Sequence, residues 1–392
     1  MQHERAERQQ IFGIDREELK RRCGFVTASE ITGQPALWRA LADLLESQSK
    51  TLEDFLQVPF AQKDLLVVFT GAGTSAFAGG VVAAEAMSST GREMRRIANT
   101  DLVEGWSRHL DPNRPVLLVS FGRSGDSPES VAAMEIVEKN CRHVWQLVLT
   151  CNPQGALARS VTSERRYALV MPEGSCDQGF AMTGSFTAMT LAALAIFVCP
   201  TPSGGAPIIR RMAADAERML SSWPVIGELV GVRHDRVVYL GSGAMQEACA
   251  ECALKLLELT DGEVLAVAYS PLGFRHGPKT IINGRQTLIV NMISGDLAVR
   301  PYGLDMAEEL VRDGRADLFA LTPEPGICIE GMPSLCVTGE GTLLGDGWLA
   351  VHYVLFGQML AFLTSQAGGH LTDQPSRSGE VNRVVQNVEI YA

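Results

Sequence analysis

The chain has 392 residues, enough for two or three domains with separate cores. Hydrophobic residues make up 46% and charged residues 20%, a globular balance that excludes an intrinsically disordered chain. An excess of 45 acidic over 34 basic residues leaves a formal charge of −11; this argues against nucleic acid or an anionic membrane as partner, but leaves room for a small anion held by local dipoles.

The N-terminal stretch as far as Arg22 is too charged to hold the apolar core of a signal peptide, so a cytoplasmic chain is expected. Next, Thr27-Ala-Ser-Glu30 has the form of a capping box that opens a helix, and residues 1–45 read as an N-terminal helical segment. Short runs rich in β-branched residues then alternate with longer helical patterns, the signature of a parallel sheet covered by helices on both faces. These runs start at Leu65, Val116, Leu147 and Tyr167 in the first half, and at Val237, Leu288, Leu318 and Leu335 in the second. The first three pairs are offset by 172, 172 and 171 residues, which predicts an internal duplication. Between the copies, the uncharged run from Gly179 to Ile209 is broken by Pro200 and Pro202, and its middle reads as a buried helix rather than a membrane span. The predicted fold is α/β, with two tandem doubly wound domains over 46–200 and 216–365, a turn-rich linker over 201–215 and a tail over 366–392. Nine cysteines without framework spacing predict reduced thiols, and Cys249 with Cys252, the one close pair, falls in a helical pattern as packing thiols rather than a metal site.

Both copies open with a strand, then glycines, then a helix: Thr70-Gly-Ala-Gly-Thr-Ser-Ala76 in the first, Leu240-Gly-Ser-Gly-Ala-Met-Gln246 in the second. Glycines after a strand let the backbone approach a ligand, and the helix that follows offers free N–H groups to an anion. A dinucleotide fingerprint lacks its third glycine here, because Ala76 and Gln246 stand in that place, and no Walker A sequence is present. The sharper signal is the exit of the second strand, Ser120-Phe-Gly-Arg-Ser-Gly-Asp-Ser-Pro-Glu-Ser130, where Ser124 and Ser127 flank Gly125 just before a helix with Pro128 in its first turn. Any one of these serines could be an ordinary N-cap; as a set they point to phosphate. Each helix terminus contributes about 0.3–1 kcal/mol, and each hydroxyl bond to a charged acceptor about 1.5–3 kcal/mol. Those sums outweigh the diffuse repulsion of an acidic chain, which solvent screens beyond about 8–10 Å.

These residues carry a resemblance. Gly71-Ala-Gly-Thr-Ser75 with Gly122-Arg-Ser-Gly-Asp-Ser127 resembles the sugar-phosphate isomerase (SIS) domain, and the doubled arrangement is similar to the isomerase half of glucosamine-6-phosphate synthase. The blocks FTGAGTSAF, SFGRSGDSPESVAA, DQGFAMTGSFT, YLGSG, LKLLELTDGEVLA, SPLGFRHGPK and NRVVQ resemble the AgaS-like branch, which comprises galactosamine-6-phosphate deaminases, also called tagatose-6-phosphate ketose/aldose isomerases. The likeness runs from about Ser29 to Gln386. With Gln2 at the second position and Cys23 as the first cysteine, a glutamine-fed synthesis is not expected.

The resemblance implies a phosphate loop made by Ser75, Ser124 and Ser127, with backbone help from Gly73 and Arg123 and with Thr74 beside them. Arg123 takes the place of a residue in the synthase's Ser-Gln-Ser and faces either phosphate or solvent. The segment with Phe180 and Ala181 borders the sugar, and Met182 there replaces a hydroxyl residue. Glu258 matches the base that moves a proton between C1 and C2. Glu251, Lys255 and Glu258 stand at i, i+4 and i+7 on one helical face, a pattern that a solvated salt-bridge stripe also shows. His276, braced by Gly277 and Pro278, matches the ring-opening histidine that the synthase borrows from the neighbouring subunit; an imidazole can give and take a proton near neutral pH. Arg383 is the positional match of the synthase's C-terminal lysine and can only bind or screen charge.

The implied activity is a deaminase, of hydrolase class with intramolecular aldose–ketose isomerase chemistry, that turns galactosamine 6-phosphate into tagatose 6-phosphate and ammonia. No metal or organic cofactor is implied. The expected partner is the amino-sugar phosphate itself, in a homodimer or higher oligomer with a composite site. A plain aldose–ketose isomerase would use the same Glu258 and His276 without releasing ammonia. A sugar-phosphate sensor would need the serine pocket but not the acid–base pair.

Overall fold

A computed structural model describes residues 10–161, 163–283, 286–341, 343–385 and 388–391. Gln2 and Gln386, both used in reading the sequence, lie outside the described residues. Among those residues, a short antiparallel pair, β1 (Gln10–Ile11) and β2 (Ile14–Asp15), precedes two parallel sheets of five strands. The first sheet holds β3 (Leu66–Thr70), β4 (Met94–Arg96), β5 (Val116–Gly122), β6 (Val144–Thr150) and β7 (Arg166–Val170), in the order β4-β3-β5-β6-β7. The second holds β8 (Arg236–Leu240), β9 (Leu265–Tyr269), β10 (Thr287–Met292), β11 (Asp317–Thr322) and β12 (Ser334–Cys336), in the order β12-β11-β10-β8-β9. Taken from corresponding edges, both sheets run second, first, third, fourth, fifth, which is the doubly wound order with its switch point between the first and third strands.

The apolar runs of the sequence supply four strands to each sheet; β4 and β9 are the additional fifth. Both are edge strands. In β4 two of three residues are exposed arginines, and β9 is only partly buried, so neither shows the continuous apolar signature of a central strand such as β5 or β6, buried at every position. Their starts, at 94 and 265, keep the spacing of the other pairs.

By internal packing the chain forms two compact units. One comprises Ala36–Asp177, Gly184–Arg211 and Val381–Ala392 and carries the first sheet; the other comprises Met1–Pro35, Gln178–Thr183 and Met212–Glu380 and carries the second. These bounds cut the chain differently from the segments read along the sequence. Helix Phe25–Phe60 runs unbroken through position 45, and the stretch 201–215 is a 3₁₀ turn, Pro202–Gly205, followed by the start of helix Ala206–Ser221.

The capping box at Thr27 is corrected by the structure. Helix Phe25–Phe60 has already begun at Phe25, so Thr27 is not its cap. The carboxylate of Asp373, remote in sequence, takes the orphan donors instead: it accepts from Val26 N–H at 3.1 Å, Thr27 N–H at 2.8 Å and Thr27 Oγ1 at 2.7 Å. Glu30, the other half of the box, accepts the N–H groups of Gln178 and Gly179.

Helix Gly184–Phe197 is buried at every position, as its uncharged sequence predicts. Among the described residues one helix, Asp346–Ala367, is long and apolar enough to cross a membrane by length and composition, and 94% of its apolar window is buried in the protein. Cys249 and Cys252 are fully buried packing residues whose thiols are pushed well up by desolvation.

Candidate active site

In the first sheet β3 and β5 are neighbours, with Thr70 opposite Ser120, so the chain leaves both strands at the same carboxyl edge, at the switch point. After β3 the backbone turns through Gly71 and Gly73. A Cβ at Gly71 would lie 2.5 Å from Ser75 Cβ, and Gly73 holds φ +52°, so both positions exclude a side chain. Helix Thr74–Thr90 starts there with Thr74 and Ser75 buried in its first turn. After β5, Gly125 at φ +69° turns the loop into helix Pro128–Asn140.

Ser127 occupies the N-cap of that helix but does not cap it; its Oγ donates to Glu129 Oε2 at 2.7 Å. Ser124 Oγ accepts the Asp126 N–H at 3.3 Å. The loop is tied to the next one along: Asn152 Nδ2 donates to Ser124 O at 2.9 Å, and Asp126 Oδ1 accepts the Ala156 N–H at 2.8 Å. These bonds hold the loop backbone; the Ser124 hydroxyl proton meets no acceptor among the described residues, whereas the Ser127 hydroxyl is engaged by Glu129.

Arg123 is turned away from solvent. It is 7% exposed, and its Nη2 donates to the carbonyl of Arg383 at 2.5 Å. Arg383 in turn donates to Asp177 O and lies 3.8 Å from Cys176 Sγ. Asp177 is the pivot. Its carboxylate accepts the N–H groups of Gly184 and Ser185 at 3.0 and 2.9 Å, capping helix Gly184–Phe197. The tail is thereby joined to the loop after β5 through a chain of named bonds, all within the unit of the first sheet.

The second unit holds the other expected residues. Helix Ala244–Leu259 follows β8, with Gly243 at φ +59° in the place that Gly73 takes in the first unit. On its last turns Lys255, 1% exposed, lies 3.6 Å from Glu251 Oε1 and hydrogen-bonds Glu258. Glu251 is fully buried, whereas the Glu258 side chain keeps 23% of its surface. A solvated salt-bridge stripe is therefore ruled out: removing a lysine from water costs several kcal/mol before pairing, by order of magnitude. Of the three charged groups, the one carboxylate that a ligand could reach is Glu258.

His276 stands exposed at the end of helix Pro271–Arg275, just before Gly277 at φ +119°. Its imidazole makes no hydrogen bond among the described residues, but both flanks are anchored. Phe274 is buried in the core of the second unit. Arg275 pairs with Glu309 at 2.7 Å and Asp305 at 2.6 Å, and Lys279 pairs with Glu309 and with Asp313 at 2.5 Å. The hydrogen bonds from Lys279 and Arg275 hold the Glu309 carboxyl below the ordinary glutamate range against the opposing effect of burial. The result is an exposed imidazole on a clamped loop.

Phe180 and Ala181 belong to this second unit, in the segment Gln178–Thr183. The segment is held by Glu30 at Gly179, where a Cβ would come within 2.9 Å of Glu30 Oε2, and by Gln358 Nε2 donating to Thr183 O at 3.3 Å. Ala181 is buried and Phe180 half-buried. So the structure gathers Gly73, Thr74, Ser75, Arg123, Ser124, Ser127 and Arg383 in one unit, and Phe180, Ala181, Lys255, Glu258 and His276 in the other. Sequence reasoning misses the supports, Glu30, Asp177 and Glu309. None of the three carries a local signal: Asp177 caps helix Gly184–Phe197 from seven residues upstream, away from the N-cap position where the preference for Asp holds.

Comparison with known proteins gives the family. Residues 60–199 match the SIS domain. A relative from Escherichia coli O157:H7, named D-galactosamine-6-phosphate deaminase AgaS, is 38% identical over 372 residues, covering 94% of this chain and 96% of its own. The same name, provisionally given, belongs to a Streptomyces coelicolor relative that is 43% identical over 371 residues, 93% of this chain and 95% of its own. A solved structure from Clostridium novyi, provisionally named a tagatose-6-phosphate ketose/aldose isomerase, superposes with a TM-score of 0.93 at 36% identity, covering 98% of this chain and 99% of its own. Similarity of this depth along nearly the whole length establishes that the chain belongs to the AgaS family of SIS-domain proteins.

Proposed function

We propose that the chain is an enzyme that deaminates a 2-amino-2-deoxyhexose 6-phosphate, converting galactosamine 6-phosphate and water to tagatose 6-phosphate and ammonia. The observation that carries this reading is the buried Glu251–Lys255–Glu258 set, with a single reachable carboxylate, in a chain that also keeps an uncapped serine loop at a switch point. The serines at 75, 124 and 127 take the phosphate. His276 opens the sugar ring to the free aldehyde, and a second copy of the chain supplies it, as the resemblance implies. Glu258 removes the C2 proton to give the enolamine, and a proton returned to C1 leaves C1 as CH2OH and C2 as an imine. Water adds to that imine and ammonia leaves, so the net change consumes one water and is hydrolytic. The C1 aldehyde carbonyl, freed by ring opening, is the electron sink for the proton abstraction.

Lys255 fixes the Glu258 carboxylate by a direct hydrogen bond, and the Arg383 guanidinium adds positive charge beside the loop. The name of the Clostridium novyi structure supports a second reading, aldose–ketose isomerisation by the same two groups without loss of nitrogen. The test is incubation of the full-length protein with galactosamine 6-phosphate and, separately, tagatose 6-phosphate, followed by enzymatic detection of ammonia and of aldose–ketose exchange. Ammonia released in step with ketose formation is expected. Exchange without ammonia would replace the deaminase reading with the isomerase one, and neither product would remove both.

A further inference from the structure

The second sheet carries the same Ser-Gly-Asp sequence at the place where the first has its phosphate loop. Ser124-Gly125-Asp126 begins two residues beyond the last residue of β5, and Ser294-Gly295-Asp296 begins two residues beyond the last of β10. One hydrogen bond recurs in both: Asp126 N–H donates to Ser124 Oγ at 3.3 Å, and Asp296 N–H donates to Ser294 Oγ at 3.0 Å; the backbone differs at the glycine, which holds φ +69° at Gly125 but is not in the left-handed region at Gly295. The neighbouring strands β8 and β10 pair as β3 and β5 do, at the same switch point.

The two loops also differ in what their donors meet. In the first, the Ser124 hydroxyl and the Gly125 N–H donate no hydrogen bond among the described residues. In the second, both equivalent donors are taken by one carboxylate: Ser294 Oγ donates to Asp346 Oδ2 at 2.6 Å, and Gly295 N–H donates to Asp346 Oδ1 at 2.8 Å. Asp346 is the first residue of helix Asp346–Ala367, and Ser294 is 6% exposed, so the contact is not a loose surface bond. Arg300 fixes the loop from behind, donating through Nε to Ser294 O and through Nη2 to Gly295 O, each at 3.0 Å.

We propose that the loop after β10 is an oxyanion site filled by the chain's own Asp346 carboxylate, which denies the second switch point to phosphate and confines the sugar phosphate to the first. The proposal rests on reading the loop at 122–127 as the phosphate loop. Desolvation raises the Asp346 carboxyl above the ordinary aspartate range in spite of these donors, so the resident anion is held at a cost that a better-solvated surface acid would not bear. The ligand class is a small tetrahedral oxyanion, phosphate or sulfate.

The experiment is calorimetric titration of inorganic phosphate into the full-length wild type, D346A, and D346A combined with S294A or with S124A and S127A, all at matched ionic strength. The wild type should bind one phosphate per chain and D346A two. Adding S294A should return the count to one, and adding S124A with S127A should remove the other phosphate and leave that at the second loop. A folded D346A that binds the same number as the wild type overturns the proposal. If D346A does not fold, D346N serves, and its melting temperature should rise further with phosphate than that of the wild type; an equal rise in both overturns the idea. A wild type that binds none while D346A binds one would remove the reading of the first loop and keep the inference about the second.

Discussion

The two sheets share a strand order, a spacing and a pair of glycine turns, yet the chain has put them to different uses. In the first, the small residues of Gly71–Ser75 and the Ser124 hydroxyl of the loop after β5 leave donors at the switch point, while Ser127 donates to Glu129. In the second, Met245 follows the turn in place of Ser75, the matching loop is closed on Asp346, and the charged chemistry moves two to four turns along the helix to Glu251, Lys255 and Glu258. Duplicated backbones carry the same dipoles to the same places. What distinguishes the copies is which side chains leave those dipoles unfilled.

That contrast is broken most directly at the second copy's carboxylate. Replacing Glu258 with Gln should lower kcat by about 10²–10⁴-fold, the range for a lost general base, while phosphate binding at the first unit stays unchanged. Retained turnover would take Glu258 out of the reaction. Lys255 tests the supporting charge. Lys255→Met takes the ammonium 3.6 Å away from the fully buried Glu251 carboxylate, and removing one partner of a buried pair costs about 3–5 kcal/mol. Urea denaturation should show a loss of that size; a loss under 1 kcal/mol would mean the pair behaves as a surface one.

The first copy's hydroxyls come next. Ser127→Ala and Ser124→Ala should each raise KM by about 10–100-fold, the equivalent of a hydrogen bond to a charged acceptor, with kcat nearly kept because the bond is made equally in ground and transition states. A fall in kcat at constant KM would instead place these hydroxyls near the reacting carbons.

Much of this was legible along the chain. The apolar runs located eight of the ten long-sheet strands, because a strand buried on both faces is a continuous β-branched stretch, and the constant offset exposed the duplication. Edge strands β4 and β9 escaped, since half-exposed residues carry no such signature. The serine loops and the Glu258 helix were visible as short-range motifs. Their supports were not. Glu30 and Thr27 looked like a local capping box, but their partners, Gly179 and Asp373, lie about 150 and 350 residues away in sequence, and nothing in local spacing encodes a tertiary partner. Arg123 was undecided between phosphate and solvent for the same reason: its acceptor is the backbone carbonyl of Arg383, which no pattern of residue types announces.

The smallest expected effect concerns the clamp beneath His276, where the two units differ in how a loop is held: by backbone turns and Asn152 in the first, by ion pairs in the second. The Lys279 hydrogen bond, helped by Arg275, lowers the Glu309 carboxyl below its ordinary value near 4.5. A carboxyl whose folded value lies below its unfolded one binds its proton less readily when folded. Its stabilisation is therefore complete above the unfolded value and is lost as pH falls through the folded one. At neutral pH the clamp is fully formed, and it should fail only in acid below about pH 4.5. Because Glu309 keeps a quarter of its side-chain surface in water, Glu309→Gln should cost no more than about 1 kcal/mol. Its mark should be faster amide exchange over residues 275–280 at neutral pH and the absence, in the variant, of the acid-induced increase seen in the wild type. Exchange in that loop that ignores both the substitution and the acid would show that Phe274 and the turn at Gly277 hold the histidine without help from the charges.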